Sequence, residues 1–434
     1  MADGRTGLPL FKSALARLYA FFGRQQNAPW LVATSNWIER NIMVKRRQKR
    51  CQRDLLQSEL ANKDVEAYLK THFCPKPFTT LETTHQGLAY VCCPIWLPTP
   101  IGRLDADPDE TWSGPTAQKL RDSISDGSYR YCSRVHCSII SNRALLPRES
   151  QEAQEILKAF ATPGTKIPPP RHVVLSHDKS CNLSCPSCRA AVVMLDKARQ
   201  EKLDALIERV IVPLLRGAES VNITGSGDPF GSNHFRNLIK RITNAQNPSA
   251  REFPYLKIDL HTNGQLWDPR AWRELGLAGR VRSAHISIDA AKPDTYAFAR
   301  RGGSFERLLK NLEFVRELRR SGEISHLEFS MVVQSRNFRE IPDFIQLGAD
   351  YAADRVSFQM IRKRDLFSGD EHKEAFIGDP AHPDYQEFVA LLRRRDLVVP
   401  RPDGPEIHMS NVLSYVNRAT PHMLDDAELR SAAE

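Results

Sequence analysis

The strongest chemical signal in the 434-residue chain is Ser180-Cys181-Asn182-Leu183-Ser184-Cys185-Pro186-Ser187-Cys188, a C-x3-C-x2-C run. Three thiolates this close can hold three irons of a cubane cluster while the loop wraps around it. The fourth iron then lacks a protein ligand, and an open iron is a place for substrate or cofactor to bind. A structural zinc site would need a fourth ligand. His177 is the nearest candidate, at a spacing that matches no common zinc pattern. Three free buried cysteines are the plain alternative.

A second cysteine set lies upstream. Cys74-Pro75-Lys76-Pro77-Phe78 is followed by Gly87, Cys92 and Cys93, and then by Cys132-x4-Cys137. Four spaced cysteines from two separate pieces can enclose one cluster completely, which suits electron transfer or structure. A zinc knuckle is the alternative. Cys74, Cys92, Cys132 and Cys137 are the expected ligands, with Cys93 as the alternative to Cys92. Cys51, on a predicted helix, reads as an ordinary thiol.

The elements that must carry these residues follow from periodicity. Residues 1–70 read as helical: Phe11, Leu15, Leu18 and Phe22 share one helix face, and Leu55, Leu56, Leu60, Val65 and Leu69 form a looser stripe. The region 71–161 has short apolar runs and turn residues. Residues 162–170 end in Pro168-Pro169-Pro170, a stiff connection that marks a boundary. From residue 171 to about 400 the pattern is regular. β-rich runs at His172–Ser176, Ser220–Thr224, Leu256–His261, Ala284–Asp289, Leu327–Val333 and Arg355–Ile361 alternate with helical patterns. One of these is the stripe Phe305, Leu308, Leu309, Leu312, Val315 and Leu318. Six strands alternating with helices imply a parallel sheet with right-handed crossovers. They suit a partial barrel, with functional groups at the C-terminal strand ends. Residues 401–434 form a tail.

The motif positions now carry a resemblance. The chain resembles radical S-adenosylmethionine (radical SAM) enzymes over residues 171 to about 400, a family defined by C-x3-C-x2-C after the first strand of a partial (β/α)6 barrel. Thr224-Gly225-Ser226-Gly227-Asp228-Pro229 ends the second strand, where the family has a Gly-Gly-Glu type motif. The resemblance implies that Gly225, Gly227 and Asp228 bind the methionine amino group of the cofactor. Asn263, in His261-Thr262-Asn263-Gly264 at the third strand end, is placed at the cofactor in the same way. It also places Ser287 and Asp289, at the fourth, near its ribose or carboxylate. Arg300-Arg301-Gly302-Gly303 and Val332-Val333-Gln334-Ser335-Arg336-Asn337 fit the same pattern. Two positions depart from it. Ser187 stands where the family usually has an aromatic residue, and Asp228 replaces the usual Glu. The upstream segment resembles a SPASM/twitch auxiliary-cluster domain placed before the barrel instead of after it.

The implied cofactors are a [4Fe-4S] cluster that binds S-adenosylmethionine, the nucleotide itself, and an auxiliary [4Fe-4S] cluster. A reductant such as flavodoxin or ferredoxin is the implied partner. The substrate reads as a sugar-like or other small metabolite that is oxidised; peptide or RNA modification by the same chemistry is the alternative. A reading from another class is a non-catalytic zinc protein that binds nucleic acid.

Composition bounds these readings. With 41% hydrophobic residues the chain can bury a sizeable core. No run of 18 apolar residues or secretory signal is evident, so a cytoplasmic enzyme is expected. Of the net charge of +9, residues 1–73 carry +7, from thirteen Lys/Arg against six Asp/Glu. The knot Lys45, Arg46, Arg47, Lys49 and Arg50 is either a solvated helix face or a docking surface for an acidic partner.

Overall fold

The computed structural model describes residues 29–413 apart from 62, 135, 162–166, 248, 250–251, 363–368, 395–396 and 398–403. The first predicted helix face, Phe11 to Phe22, lies outside the described residues, as do the side chains of Leu55, Leu56 and Leu60 and nearly all of the 401–434 tail. From Pro29 onward the expected helices are present, as Pro29–Ile38, a π-turn Glu39–Met43, Val44–Ala61 and Lys63–Thr71. No helix among the described residues is long and apolar enough to cross a membrane.

All six predicted strands form within three residues of their expected ends. They are β6 (His172–Ser176), β7 (Ser220–Ile223), β8 (Lys257–Thr262), β9 (Val281–Ser287), β10 (His326–Val333) and β11 (Arg355–Met360). They are parallel and lie side by side in chain order. The predicted stripe becomes the helix Phe305–Arg320, which buries Leu308, Leu312, Val315 and Leu318.

Two features lie beyond the expected pattern. A short strand β12 (Glu406–His408) extends the sheet beside β11, again parallel. At the other edge β2 (Thr80–Thr84) runs parallel to β6, in the register Thr80↔His172 to Thr84↔Ser176. β3 (Leu88–Tyr90) and β4 (Gly102–Arg103) follow it antiparallel. The result is one open sheet of ten strands. The Pro-rich connection therefore does not separate two sheets: the upstream segment supplies three strands to the same one. Outside it, β1 (His72–Phe73) pairs with β5 (Leu146–Pro147) and ties together the two ends of the upstream segment.

Parallel sheets are usually apolar on both faces because helices cover both. Here only one face is. Val173, Leu175, Val221, Ile223, Ile258 and Leu260 point into the fully buried core under the helices. The alternate positions are mostly polar, Glu82, Asn222, Asp259, His261, His285, Ser287 and Ser330 among them, with Val174 and Val332 as apolar members. Glu82 pairs with Tyr90, so both face this second side, where Val44 of the N-terminal helix packs on Leu88 and Tyr90. Arg47, from the basic knot, pairs with the buried Glu39 on that helix, so it is no free surface charge.

Candidate active site

β6 ends at Ser176 and the chain enters the cysteine loop at once. Cys181 and Cys185 are buried and Cys188 is half-buried, the three gathered around Leu183. The loop backbone pairs with Val193 through an isolated bridge, Cys181 N–H donating to its carbonyl at 2.8 Å, and short polar side chains add to this. Asp178, 1% exposed, accepts from the Ser180 N–H and hydroxyl at 2.9 Å each, and from the Ser232 hydroxyl. The Ser180 carbonyl accepts from Asp228 N–H at 2.8 Å, and the Arg301 carbonyl from Ser184 N–H at 3.0 Å. His177 cannot complete a zinc site. Its Nε2 meets His234 Nε2 at 2.8 Å and its Nδ1 meets the Thr83 hydroxyl at 3.2 Å, so both ring nitrogens are taken. His234 in turn pairs with Asp204 at 2.7 Å.

Each sulfur of the loop has a side-chain N–H donor, each from a different residue, and Cys181 also accepts from the Leu183 backbone. Asn263 Nδ2, at the end of β8, lies 3.7 Å from Cys181 Sγ. Arg300 Nη1 lies 3.8 Å from Cys185 Sγ, and Arg189 Nη2 lies 3.5 Å from Cys188 Sγ. Burial pushes the Cys181 thiol up to about 11 and raises Cys185 as well, with nearby guanidinium charges (Arg189 for Cys181, Arg300 for Cys185) opposing it. Donors aimed at a sulfur favour its thiolate form, and a metal would deprotonate it outright. The donor set therefore fits three thiolates bound to a metal centre.

The other predicted cofactor residues divide into two groups. Gly225 N–H donates to Ser176 Oγ at 3.0 Å, and Gly227 lies where a Cβ would stand 2.6 Å from the Asp178 carbonyl and 2.7 Å from that of Ser180. Gly227 is thus required by the close approach of the cysteine loop. Asn263 does reach the loop, donating also to Asn182 Oδ1 at 3.0 Å. Ser287 stands on the polar face, 3.1 Å from His261 Nε2.

Asp228 and Asp289 differ from the expected roles. Asp228 is fully buried. Its Oδ1 accepts from Phe230 and Gly231 N–H at 3.0 Å, and its Oδ2 from Thr262 Oγ1 at 2.7 Å and Asn263 N–H at 2.8 Å. With four donors in place it has no acceptor position left for an ammonium; it fastens the end of β7 to the end of β8. Burial raises its carboxyl pKa and the four donors oppose that. Asp289, at φ 66, accepts from Val332 N–H at 2.8 Å and pairs with Arg300 at 3.0 Å. It holds the guanidinium that faces Cys185 and so acts on the loop through Arg300.

Upstream, Cys74, Cys92, Cys132 and Cys137 line one small cavity with Lys76, Trp96 and Tyr129. Cys93 does not line it. β1 and β5 bring the two pieces together, and Tyr129 OH donates to the His72 carbonyl at 2.9 Å. Burial pushes Cys74 up to about 12 and raises Cys92 and Cys132 well above the ordinary thiol range. Among the described residues, no group of three or more His, Cys, Asp or Glu meets closely enough to hold a single metal ion. The four sulfurs surround a space instead of converging on a point. Cys51 is buried beside this set without lining the cavity, and donates to the carbonyl of Tyr131, the residue before Cys132, at 3.4 Å.

Arg189, directly after the third cysteine, is the site residue that the motif reading passed over, because a cation beside a cysteine has no period to betray it. Arg300 stands in Arg-Arg-Gly-Gly and His261 in His-Thr-Asn-Gly, but neither stretch reveals that Arg300 faces Cys185 or that His261 stacks on His285 at 4.1 Å. Burial lowers His261 well below the ordinary imidazole range and takes His285 to about 4, so both are neutral donor–acceptors on the polar face.

Residues 175–348 match the sequence model of the Radical SAM superfamily. Two curated relatives are GTP 3',8-cyclases. The protein from Peptoclostridium acidaminophilum is 28% identical over 176 residues, 40% of this chain and 50% of that one. The protein from Petrotoga mobilis is 30% identical over 174 residues, 39% of this chain and 49% of that one. The chain thus spans about half the length of the curated relatives it matches. Among solved structures, Streptococcus suis SuiB is 14% identical with a TM-score of 0.40, covering 82% of this chain and 74% of that one.

Proposed function

We propose, from the premise that this chain belongs to the radical SAM superfamily, that Cys181, Cys185 and Cys188 hold a [4Fe-4S] cluster against which S-adenosylmethionine binds. The observation that carries this is the set of three gathered thiols, each with its own N–H donor. The chemistry supplied when cluster and nucleotide are bound is one-electron reductive cleavage of the sulfonium to methionine and a 5'-deoxyadenosyl radical, with hydrogen abstraction from substrate.

The chain's own residues do the rest. Asp178, Ser180 and Arg301 fix the loop. Asp228 fastens the ends of β7 and β8 so that Asn263 reaches Cys181. Asp289 holds Arg300 toward Cys185. Gly225, Asn263 and Ser287 stand nearest the place the nucleotide would take. The polar face beyond, with His261, His285 and Ser330, offers hydrogen bonds to a hydroxylated substrate: Ser330 Oγ lies 2.6 Å from His285 Nε2. A partial barrel open on that face is the architecture this reading requires.

Cys74, Cys92, Cys132 and Cys137 are proposed to hold an auxiliary [4Fe-4S] cluster that accepts the second electron of an oxidation, in the manner of a SPASM/twitch domain. A sugar-like small metabolite is the favoured substrate, with flavodoxin or ferredoxin as electron donor in the cytoplasm. Peptide or RNA modification is the alternative use of the same chemistry. The likeness to the GTP 3',8-cyclases covers half of their length and brings no substrate with it.

The test is anaerobic reconstitution. The wild-type chain should bind about eight irons in two cubanes and form 5'-deoxyadenosine when reduced with S-adenosylmethionine. Changing Cys181, Cys185 and Cys188 together to Ala should remove half the iron and all of the product. Product formed at the wild-type rate by that variant would refute the assignment.

A further inference from the structure

Arg189 poses an electrostatic problem. It is only 6% exposed, yet no carboxylate pairs with it among the described residues. Its guanidinium donates to the Lys179 carbonyl at 2.6 Å, to the Ser226 carbonyl at 2.6 Å and to Cys188 Sγ at 3.5 Å. The first two bonds clamp the cysteine loop to the turn after β7. Carbonyls satisfy the N–H groups but do not neutralise the charge. A buried cation is costly unless an anion stands beside it. The groups beside it are the sulfurs of the loop, which become anionic when they hold a metal.

The neighbouring cation is arranged differently. Arg300, also beside a loop sulfur, has Asp289 at 3.0 Å, so that pair is close to neutral. Asn263, the third donor, is uncharged. Arg301 also binds the loop, donating to Ser184 Oγ at 3.1 Å and to the Ala190 carbonyl at 3.0 Å, but its bonds go to oxygens. The cation that touches a loop sulfur without a carboxylate beside it is Arg189.

We infer that Arg189 is the built-in counter-ion of the metal centre held by Cys181, Cys185 and Cys188, and that it raises the reduction potential of that centre. The inference rests on the ligand assignment proposed above. Its direction follows from Coulomb's law. Reduction adds one negative charge to a centre that three thiolates already make anionic, and a fixed cation at contact distance of one sulfur stabilises the reduced form more than the oxidised. The same charge favours metal binding to the thiolates over their protonated forms. Arg189 is therefore a positioning residue for the loop and a tuning residue for its centre.

The experiment compares Arg189→Gln and Arg189→Lys with the wild type, all reconstituted anaerobically. Iron content and the midpoint potential of the loop centre are read by redox titration with electron paramagnetic resonance. The signal of the loop centre is assigned by its loss in the variant with Cys181, Cys185 and Cys188 changed to Ala. Arg189→Gln is expected to disfavour the reduced form about tenfold, a shift of about 59 mV to more negative potential for one electron. Arg189→Lys, which keeps the charge and loses the two-carbonyl fork, is expected to stay nearer the wild type.

If both variants keep the wild-type potential, or if both lose the loop iron alike, the counter-ion role is wrong and the clamp alone explains the residue. Loss of iron in Arg189→Gln with retention in Arg189→Lys supports the inference even without a potential. If the triple cysteine variant binds as much iron as the wild type, the ligand assignment itself has failed, which is a separate result from an unmoved potential.

Discussion

Asp228 offers the sharpest test of how the site is built, because two roles for it predict opposite results. If it held a cofactor ammonium, its loss would weaken nucleotide binding and leave the metal-free fold alone. The structure instead gives it four internal donors. Asp228→Asn keeps the shape and replaces one acceptor oxygen with an NH2. Facing Phe230 and Gly231, that NH2 would meet two backbone donors; facing Thr262 and Asn263, it would meet one backbone donor and a hydroxyl that can turn to accept. The second placement costs less. It removes one charge-assisted bond to Asn263 N–H, worth about 1.5–3 kcal/mol, and weakens the rest as the charge is lost. Relief from burying a charge offsets part of this, since burial raises the Asp228 carboxyl pKa. The balance is a loss of about 3 kcal/mol for Asn, and more for Ala, which strands all four donors. Hydrogen exchange in metal-free protein is the assay, because it reports locally. The amides of Phe230, Gly231 and Asn263 should exchange about a hundredfold faster in Asp228→Asn. Unchanged exchange together with lost nucleotide binding would refute the fastening role.

Three further expectations follow. Gly227→Ala would place a Cβ against two backbone carbonyls of the cysteine loop, at 2.6 and 2.7 Å; iron analysis should show the loop centre lost and the upstream centre kept, and full iron content would disprove the close approach. Glu82 has no hydrogen-bond partner among the described residues, and burial pushes it up to about 7 from 4.5. Its folded pKa is raised, so its contribution is most favourable below pH 4.5 and is lost as pH rises through 7. Glu82→Gln should therefore stabilise the chain by about 2 kcal/mol more at pH 8 than at pH 5, a figure discounted for partial exposure; equal effects at both pH values in urea titrations would contradict the buried carboxylate. Changing Cys74 to Ala should remove iron from the upstream pocket only, whereas Cys93→Ala, which lies outside the cavity lining, should leave the iron count at its wild-type value.

Much of the fold was legible because the six central strands carry it in their composition. Each is a short apolar run bounded by turn residues, and helical patterns separate them, the stripe in Phe305–Arg320 being the clearest. β2 was not legible. Thr80-Leu81-Glu82-Thr83-Thr84 has one large apolar residue, Leu81, and reads as a surface strand or loop. Its place in the sheet is set by pairing with β6. β12 is three residues long, below what any periodicity can reveal. In the site, the cysteines and glycines were visible because their spacing or backbone freedom is unusual. Arg189 and His285 carried no such signal, and the roles of Arg300 and His261, which stand in Arg-Arg-Gly-Gly and His-Thr-Asn-Gly, depend on which neighbours the strands bring up. For Asp228 the motif locates the residue, but only the packing shows that three backbone N–H groups and the Thr262 hydroxyl donate to it.

The position of β2 bears on how the two cysteine sets are related. β2 runs parallel to β6, so the cysteine loop, which follows β6, lies toward the end of β2 at Thr84. Cys74 precedes β2, and Cys92 follows the antiparallel β3; both therefore lie toward the opposite end, at Thr80. Four steps of about 3.3 Å each put the two levels about 13 Å apart. Glu82 stands between them on the polar face, with Lys76, Cys93 and Tyr90 as the titratable groups that sense its charge or are sensed by it. On the proposed reading, a substrate bound on that face would have the radical source at one end of a single strand and the electron acceptor at the other. This arrangement requires no docking of a separate domain after the proline run, because the strand that bridges the two sets is already hydrogen-bonded into the sheet. It also means that weakening the β2–β6 ladder should disturb both centres together, whereas a tethered domain would let the cysteine-loop centre survive the loss of the upstream one.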